Sequence, residues 1–223
     1  MVFGFKRDDD TDRIDRIEGL VQRMLTDDAH AFALAMDALL GRRSPLEVGA
    51  ELRSTDHRVN EAEREIRREL IVHASVQGAI DTLAILVYMS IVKDLERIGD
   101  YAKNLFDLAD DGARLTDGVL AEELAEHAET VPRFMAASAT CFRDRDLELA
   151  RELLPQGDAL LDRFDGRVSG LVRGEGLGPD AVATALANRY LKRIVAHLMN
   201  LLSAVVMPID RLDYFDEDPE DRG

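Results

Sequence analysis

The chain of 223 residues has one cysteine, no tryptophan and only 5% aromatic residues, and each shortage excludes a class of structure. A single cysteine, Cys141, can build neither a disulfide framework nor a thiolate metal site. Its apolar neighbours, residues 139–142, predict a small buried side chain. With aromatic residues scarce and 32% of residues charged, the composition favours long packed helices over a β-sheet.

Basic residues and long apolar runs are also scarce. The chain has 28 Lys and Arg against 44 Asp and Glu, a formal net charge of −16, so nucleic acids and anionic membranes are repelled, whereas basic protein surfaces and metal cations are favoured. The longest apolar run, near residues 80–92, contains Asp81 and is shorter than the ~20 residues that cross a bilayer. Residues 1–10 hold too short an apolar stretch for a signal peptide. We therefore expect a soluble cytoplasmic protein, peripheral to a membrane at most, with no nucleic-acid partner.

Catalytic signatures are missing as well. The sequence contains no HExxH motif, no Glu-x-x-His pair of the ferritin-like kind, no glycine-rich phosphate loop and no plausible Ser/His/Asp set. We therefore predict no enzymatic activity, no catalytic residues and no organic cofactor.

Apolar residues recur in steps of three and four along six segments, which predicts six long helices. The predicted ranges are 11–40, 45–74, a third helix with its apolar stripe over 84–109, then 117–143, 146–173 and 180–206. Ser44 and Pro45 form a capped start for the second helix, Gly78 marks the break before the third, and Pro132 predicts a kink in the fourth. The sustained heptad of the third helix is typical of a left-handed bundle.

The second half of the chain repeats the first. When the third and sixth helices are superposed, Leu95, Arg97, Ile98 and Asn104 fall on Leu191, Arg193, Ile194 and Asn200. The second and fifth helices align Asp56, Asn60 and Glu63 with Asp158, Asp162 and Asp165. These matches predict an all-α fold of two tandem three-helix bundles, with units at residues 1–112 and 113–210 and an acidic, disordered tail at 211–223.

The third helix carries the most informative motif, the heptapeptide DLERIGD at residues 94–100. Glu96 and Asp100 are four residues apart and lie on one face of a helix, where two carboxylates repel each other unless a cation is close. If the second helix is an antiparallel neighbour, its polar stripe of Asp56, Asn60 and Glu63 approaches the pair. We predict a surface metal site built from these five residues, completed by water. The alternative is an ordinary solvated face on which Arg97 partly neutralises the acids.

Two further residues near this motif have open interpretations. Gly99 costs a helix interior about 1 kcal/mol relative to alanine, which indicates either the close approach of another helix or partner, or a tolerated glycine. His57 adjoins Asp56 and is either a further ligand or a solvated histidine. His197 falls on Tyr101 in the repeat and is expected on the surface or packed against a neighbour.

The segments DLERIGDYAKN (94–104) and DHRVNEAEREI (56–66), on helices of a three-helix unit that occurs twice, resemble the PhoU family of phosphate-signalling proteins. The resemblance covers residues 12 to 207. It implies a pair of three-helix bundles whose acidic motifs hold iron or zinc in some members. It also implies a cytoplasmic, non-catalytic regulator of phosphate uptake that contacts a phosphate transporter subunit or a sensor histidine kinase.

The second half departs from the family pattern. Lys192 and Ala196 stand where the repeat predicts the acidic pair, which argues against a metal cluster there. Two rival functions remain open: a carboxylate-bridged metal enzyme or metal store, which requires inward-facing ligands, and a metal-free helical scaffold. Two-fold packing of bundles makes a homodimer plausible.

Overall fold

The computed structural model describes residues 8–77, 82–176 and 178–207. Six α-helices account for nearly all of them, and no strand occurs within these ranges. The helices are α1 (Asp8–Leu39), α2 (Pro45–Gln77), α3 (Thr82–Asp110), α4 (Val119–Asp144), α5 (Leu147–Val172) and α6 (Ala181–Val206). The predicted order and approximate bounds of the six helices are confirmed. Gly78 and the predicted acidic tail lie outside the described residues.

Local side-chain chemistry fixes where two helices begin. Ser44 and Glu47 form a reciprocal capping box: the Ser44 backbone N–H donates to Glu47 Oε2 at 2.7 Å, and the Glu47 N–H donates to Ser44 Oγ at 3.3 Å. Asp146 caps α5 by accepting the backbone N–H groups of Glu148 and Leu149 at 3.1 and 3.0 Å. These caps explain why α2 starts at the predicted residue and why α5 starts one residue after the predicted position, with Asp146 as its cap.

The helices form two three-helix bundles, α1–α2–α3 and α4–α5–α6, and the predicted fold class is confirmed. The bundles also pack on each other, α3 against α6 and α1 against α4, so that one cluster of buried apolar side chains runs through both. Pro132 lies inside α4 as predicted, and its kink stays a prediction. The division into units at residue 112 likewise stays a prediction.

A buried polar network joins the two bundles. Asp94 of α3 contacts His197 Nδ1 at 2.8 Å and accepts a hydrogen bond from Asn200 Nδ2 at 3.0 Å, and all three residues are buried. The His197 ring also stacks on Tyr101, with ring centroids 5.8 Å apart. Of the two expectations for His197, packing against a neighbour is the one that the structure bears out. Because one Asp94 oxygen serves two partners on α6, the network fixes the register of α3 against α6.

A second contact anchors the turn between α4 and α5 to the first bundle. Arg145, the only non-glycine residue with positive φ (52°) in the described part of the chain, reaches Glu18 Oε1 at 2.6 Å and the Tyr88 hydroxyl at 2.8 Å. The Tyr88 hydroxyl donates to the same Glu18 oxygen at 2.8 Å. The left-handed backbone at Arg145 therefore aims its side chain at α1 and α3.

Candidate metal centre

The predicted site residues on α2 and α3 lie on neighbouring antiparallel helices. Asp56 Oδ2 lies 4.0 Å from Lys103 Nζ, and Val59 Cγ1 lies 3.5 Å from the position that a side chain on Gly99 would take. Residues 56 to 63 of α2 therefore lie alongside residues 103 to 96 of α3, so the two helices run in opposite directions. The condition on which the predicted site depended, antiparallel packing of α2 and α3, is therefore met.

These side chains are more covered than a solvated helix face. Glu63 is buried, with 8% of its surface exposed. The side chains of Glu96 and Asp56 are 14% and 20% exposed, and that of Asp100 is 35% exposed. The heptad pattern placed Glu96 and Asp100 on the outer face, and the structure shows that neighbouring helices shield that face.

Each member of the acidic pair on α3 has a basic neighbour on its own helix. Glu96 Oε2 lies 2.6 Å from Lys93 Nζ, and Asp100 Oδ2 lies 3.1 Å from Arg97 Nη1. Burial, and then the charge of Glu96, raise the pKa of Asp100 above its ordinary value. The two cations therefore only partly relieve the repulsion between the carboxylates.

The α2 residues are similarly paired. Glu63 forms an ion pair with Arg67 at 2.8 Å, and Asn60 Nδ2 donates to the Asp56 backbone carbonyl at 2.9 Å. In the arrangement of the described residues, no three His, Cys, Asp or Glu side chains are gathered as ligands of one metal ion. A cation at this site must therefore draw the carboxylates away from these partners.

The structure adds one acid that the sequence analysis missed, Asp28 of α1. Its side chain is fully buried, and neither carboxylate oxygen has a hydrogen-bond partner among the described residues. Burial raises the pKa of Asp28 well above its ordinary value, and the charges of nearby acids raise it further: Asp27, Asp56, Glu96 and Asp100. Asp28 therefore lies beneath the predicted site, within electrostatic range of three of its members.

A signal for Asp28 was present in the sequence. It falls three residues after Leu25 and four before Phe32, which places it on the apolar stripe of α1. Acidic side chains at such core positions are rarely left unpaired. An acidic residue on the apolar face of α1 was therefore the sequence signal for a buried carboxylate.

Gly99 makes room for this buried acid. A Cβ atom at Gly99 would lie 2.9 Å from Asp28 Oδ1, closer than side-chain atoms normally approach. Of the two interpretations of Gly99, close approach of another helix is the one that the structure supports. The glycine in the motif therefore lets α1 bring a carboxylate against α3.

This donor set suits a hard cation. Ca²⁺, Mg²⁺ and iron are bound through carboxylate and amide oxygens, and Asp28 is a buried carboxyl group with no hydrogen-bond partner among the described residues. A bound cation would favour the ionised form of Asp28 and would be coordinated by its free oxygens. The residues able to hold it are Asp28, Asp56, Asn60, Glu63, Glu96 and Asp100.

The second bundle has an internal cation at the corresponding place. Lys192 forms an ion pair with Asp165, and these residues align with Glu96 and Glu63 in the repeat. Ala196 is buried and supplies no ligand, and Val195 stands at the position of Gly99. A lysine ammonium therefore pairs with one acid of α5 at the place where the first bundle has Glu96.

Comparison with known proteins agrees with this architecture. Residues 21–109 match the PhoU domain family model. The chain is 27% identical over 195 residues to the phosphate-specific transport system accessory protein PhoU homolog of Synechocystis sp., covering 85% of this chain and 86% of the relative. Its fold superposes on the crystal structure of PhoU from Pseudomonas aeruginosa with a TM-score of 0.75 at 21% identity, over 88% of this chain and 96% of the other.

The fold and the acidic motif thus define an all-α protein of the double three-helix-bundle class. The matched region, 21–109, contains Asp28 and every predicted site residue. The first bundle is therefore similar in sequence to the PhoU domain, and the chain as a whole is similar in fold to PhoU from Pseudomonas aeruginosa. No helix in the described part of the chain is both long and apolar enough to span a membrane.

Proposed function

We propose that this protein is an accessory regulator of phosphate transport and phosphate signalling. The PhoU domain match supports this role, as does the Synechocystis relative, which is named as an accessory protein of a phosphate-specific transport system. The protein acts as an adaptor at the cytoplasmic face of the membrane, on a phosphate transporter subunit or a sensor histidine kinase. It works through protein contacts rather than catalysis.

The first bundle holds one cation near its surface. The observation that carries this proposal is Asp28, a buried carboxylate without a hydrogen-bond partner, close to the acidic faces of α2 and α3. Leaving such a charge uncompensated is costly, so a cation that binds the folded state stabilises it. Iron or zinc is the metal that the family resemblance implies, and the ligands are Asp28, Asp56, Asn60, Glu63, Glu96 and Asp100.

Cation binding gives the adaptor a way to change its docking surface. With the cation absent, Glu96 and Asp100 are paired with Lys93 and Arg97 of the same helix. With the cation bound, Lys93 and Arg97 are released from Glu96 and Asp100, and the local charge becomes more positive. A partner protein that binds one of the two forms more tightly will then bind more or less strongly according to whether the cation is present.

A metal-free scaffold is the second candidate, and a specific observation favours it. Glu96, Asp100 and Glu63 each already have a basic partner within 3.1 Å. Under this alternative the acidic motif serves only to position Lys93 and Arg97 for a partner protein.

The regulatory role is tested in bacteria that lack their own PhoU protein and carry a reporter of phosphate starvation. We expect the wild-type chain to restore repression of the reporter in phosphate-rich medium. The Glu96→Ala/Asp100→Ala variant should fail, whereas the matched second-bundle variant Asp158→Ala/Asp162→Ala should succeed. If the wild-type chain fails to repress although it is expressed and binds metal, the regulatory proposal is wrong and the metal site stands separately.

A further inference from the structure

The second bundle has an open groove between α4 and α5. Helix α4 packs only loosely against α5, and a cavity of about 500 Å³ lies between them. At Gly157 of α5, a Cβ atom would lie 2.7 Å from Met199 Sδ of α6. This glycine therefore lets α5 lie close against α6.

The groove combines apolar walls with arginine. Its apolar lining includes Phe134, Ala137, Leu153 and Leu160, and its polar lining includes Arg133 and Arg163. Among the described residues, no aspartate or glutamate lines it. The groove therefore differs in charge from the chain as a whole, whose net charge is −16.

Both arginines keep donors available. Arg163 Nη2 donates to Glu126, and Arg133 Nη2 donates to Glu129, both at 3.0 Å. Both glutamates are exposed and lie outside the groove lining. A guanidinium carries five N–H donors, and exposed ion pairs of this kind are weak. An incoming anion can therefore bind these arginines without first breaking a buried contact.

We propose that the α4–α5 groove binds a small amphiphilic anion, an alkyl chain bearing one carboxylate. The alkyl chain lies along the apolar wall, and the carboxylate pairs with Arg163 or Arg133. The volume is in the range of small-molecule sites, which are mostly apolar with a few polar groups that fix orientation. The proposal is independent of the regulatory role and of the metal site.

The test is titration calorimetry of the full chain with decanoate. Decanol and decyltrimethylammonium serve as probes with the same alkyl chain but without the negative charge. We expect decanoate to bind at one site and the other two to bind about tenfold more weakly or not at all, since a hydrogen bond to a charged group is lost. Arg163→Gln should weaken the binding of decanoate by a similar factor and leave the melting temperature within about 2 °C of that of the wild-type chain.

A matched pair of variants locates the site. Ala137→Glu places a carboxylate in the groove, whereas Ala136→Glu places it on the neighbouring exposed position of α4. Decanoate binding should be lost in the first and kept in the second, with both variants folded by circular dichroism. Val76→Glu, at an exposed apolar residue of α2, should also leave decanoate binding unchanged.

Three results would overturn the proposal. One is the absence of decanoate binding to the wild-type chain, and another is equal loss of binding in the Ala136→Glu and Ala137→Glu variants. The third is binding of decanol as tight as that of decanoate. If decanoate does not bind and Ala137→Glu instead converts a dimer to a monomer in sedimentation, the groove is an interface between two copies of the chain.

Discussion

Replacing Asp28 by Asn tests whether this buried carboxylate carries an uncompensated charge. Asn has nearly the same shape but cannot ionise, so the variant removes the charge and little else. In the folded wild-type protein the pKa of Asp28 is raised well above its ordinary value, because the side chain is buried among other acids. A raised pKa means that the folded state holds its proton to a higher pH than the unfolded state does.

The sign of the pH dependence follows from that difference. Below about pH 4 the carboxyl is protonated in both states, and its contribution to stability is constant. As the pH rises above the unfolded-state pKa, only the unfolded state ionises, and wild type loses up to about 1.4 kcal/mol per pH unit relative to Asp28→Asn. The loss stops at the folded-state pKa. We therefore expect the Asn variant to become progressively more stable than wild type as the pH rises from about 4.5 towards 7, by at most about 1.4 kcal/mol per pH unit.

Urea denaturation in the presence of a chelator measures this gap at several pH values. Asp15→Asn, at an exposed aspartate on the same helix, is the control and should parallel wild type. Added Zn²⁺ or Mn²⁺ should raise the stability of wild type at pH 7 and leave Asp28→Asn unchanged. Parallel pH profiles for wild type and Asp28→Asn would refute the argument that Asp28 is a buried, unbalanced acid.

Three further predictions concern stability and reactivity. Gly99→Ala should destabilise the protein by about 1–2 kcal/mol in denaturant unfolding, because the new Cβ atom meets Asp28. In an Asp28→Ala background the same substitution should instead stabilise the protein by about 1 kcal/mol. Equal effects in both backgrounds would contradict the close approach of Asp28 to Gly99. Asp94→Ala should cost about 2–4 kcal/mol in the same assay, because it leaves two buried groups, His197 Nδ1 and Asn200 Nδ2, without their partner. A cost below about 1 kcal/mol would argue against the network. Cys141 is buried, and burial is the main cause that raises its pKa to about 11. A thiol reagent at pH 7 should therefore label Cys141 only when the protein unfolds. Rapid labelling of the native chain would contradict this and would show that α4 opens locally.

Much of the fold could be predicted because its signals are local and periodic. Ser44, Pro45 and Glu47 form a complete start signal for α2, and the stripe on α3 shows which side packs. These features depend on residues a few positions apart in the chain, and they survive in the structure.

The candidate site was harder to predict because its parts come from three helices. Asp28 is 68 residues before Glu96, and only the packing of α1 against α3 brings it near. The ion pairs of Lys93 and Arg97 depend on rotamers that a periodic pattern does not specify. The departure at Lys192 was visible in the repeat, but its pairing with Asp165 required the structure.

Metal content is the most direct test of the account. The wild-type chain, purified without chelators, is analysed for iron, zinc and manganese beside Asp28→Asn, Glu96→Ala/Asp100→Ala and the second-bundle control Asp158→Ala/Asp162→Ala. The account predicts about one metal per chain in wild type and in the control, and loss of that metal in the two first-bundle variants. Wild type that remains metal-free after dialysis against each of these ions would contradict it, and the acidic motif would then be a scaffold for Lys93 and Arg97.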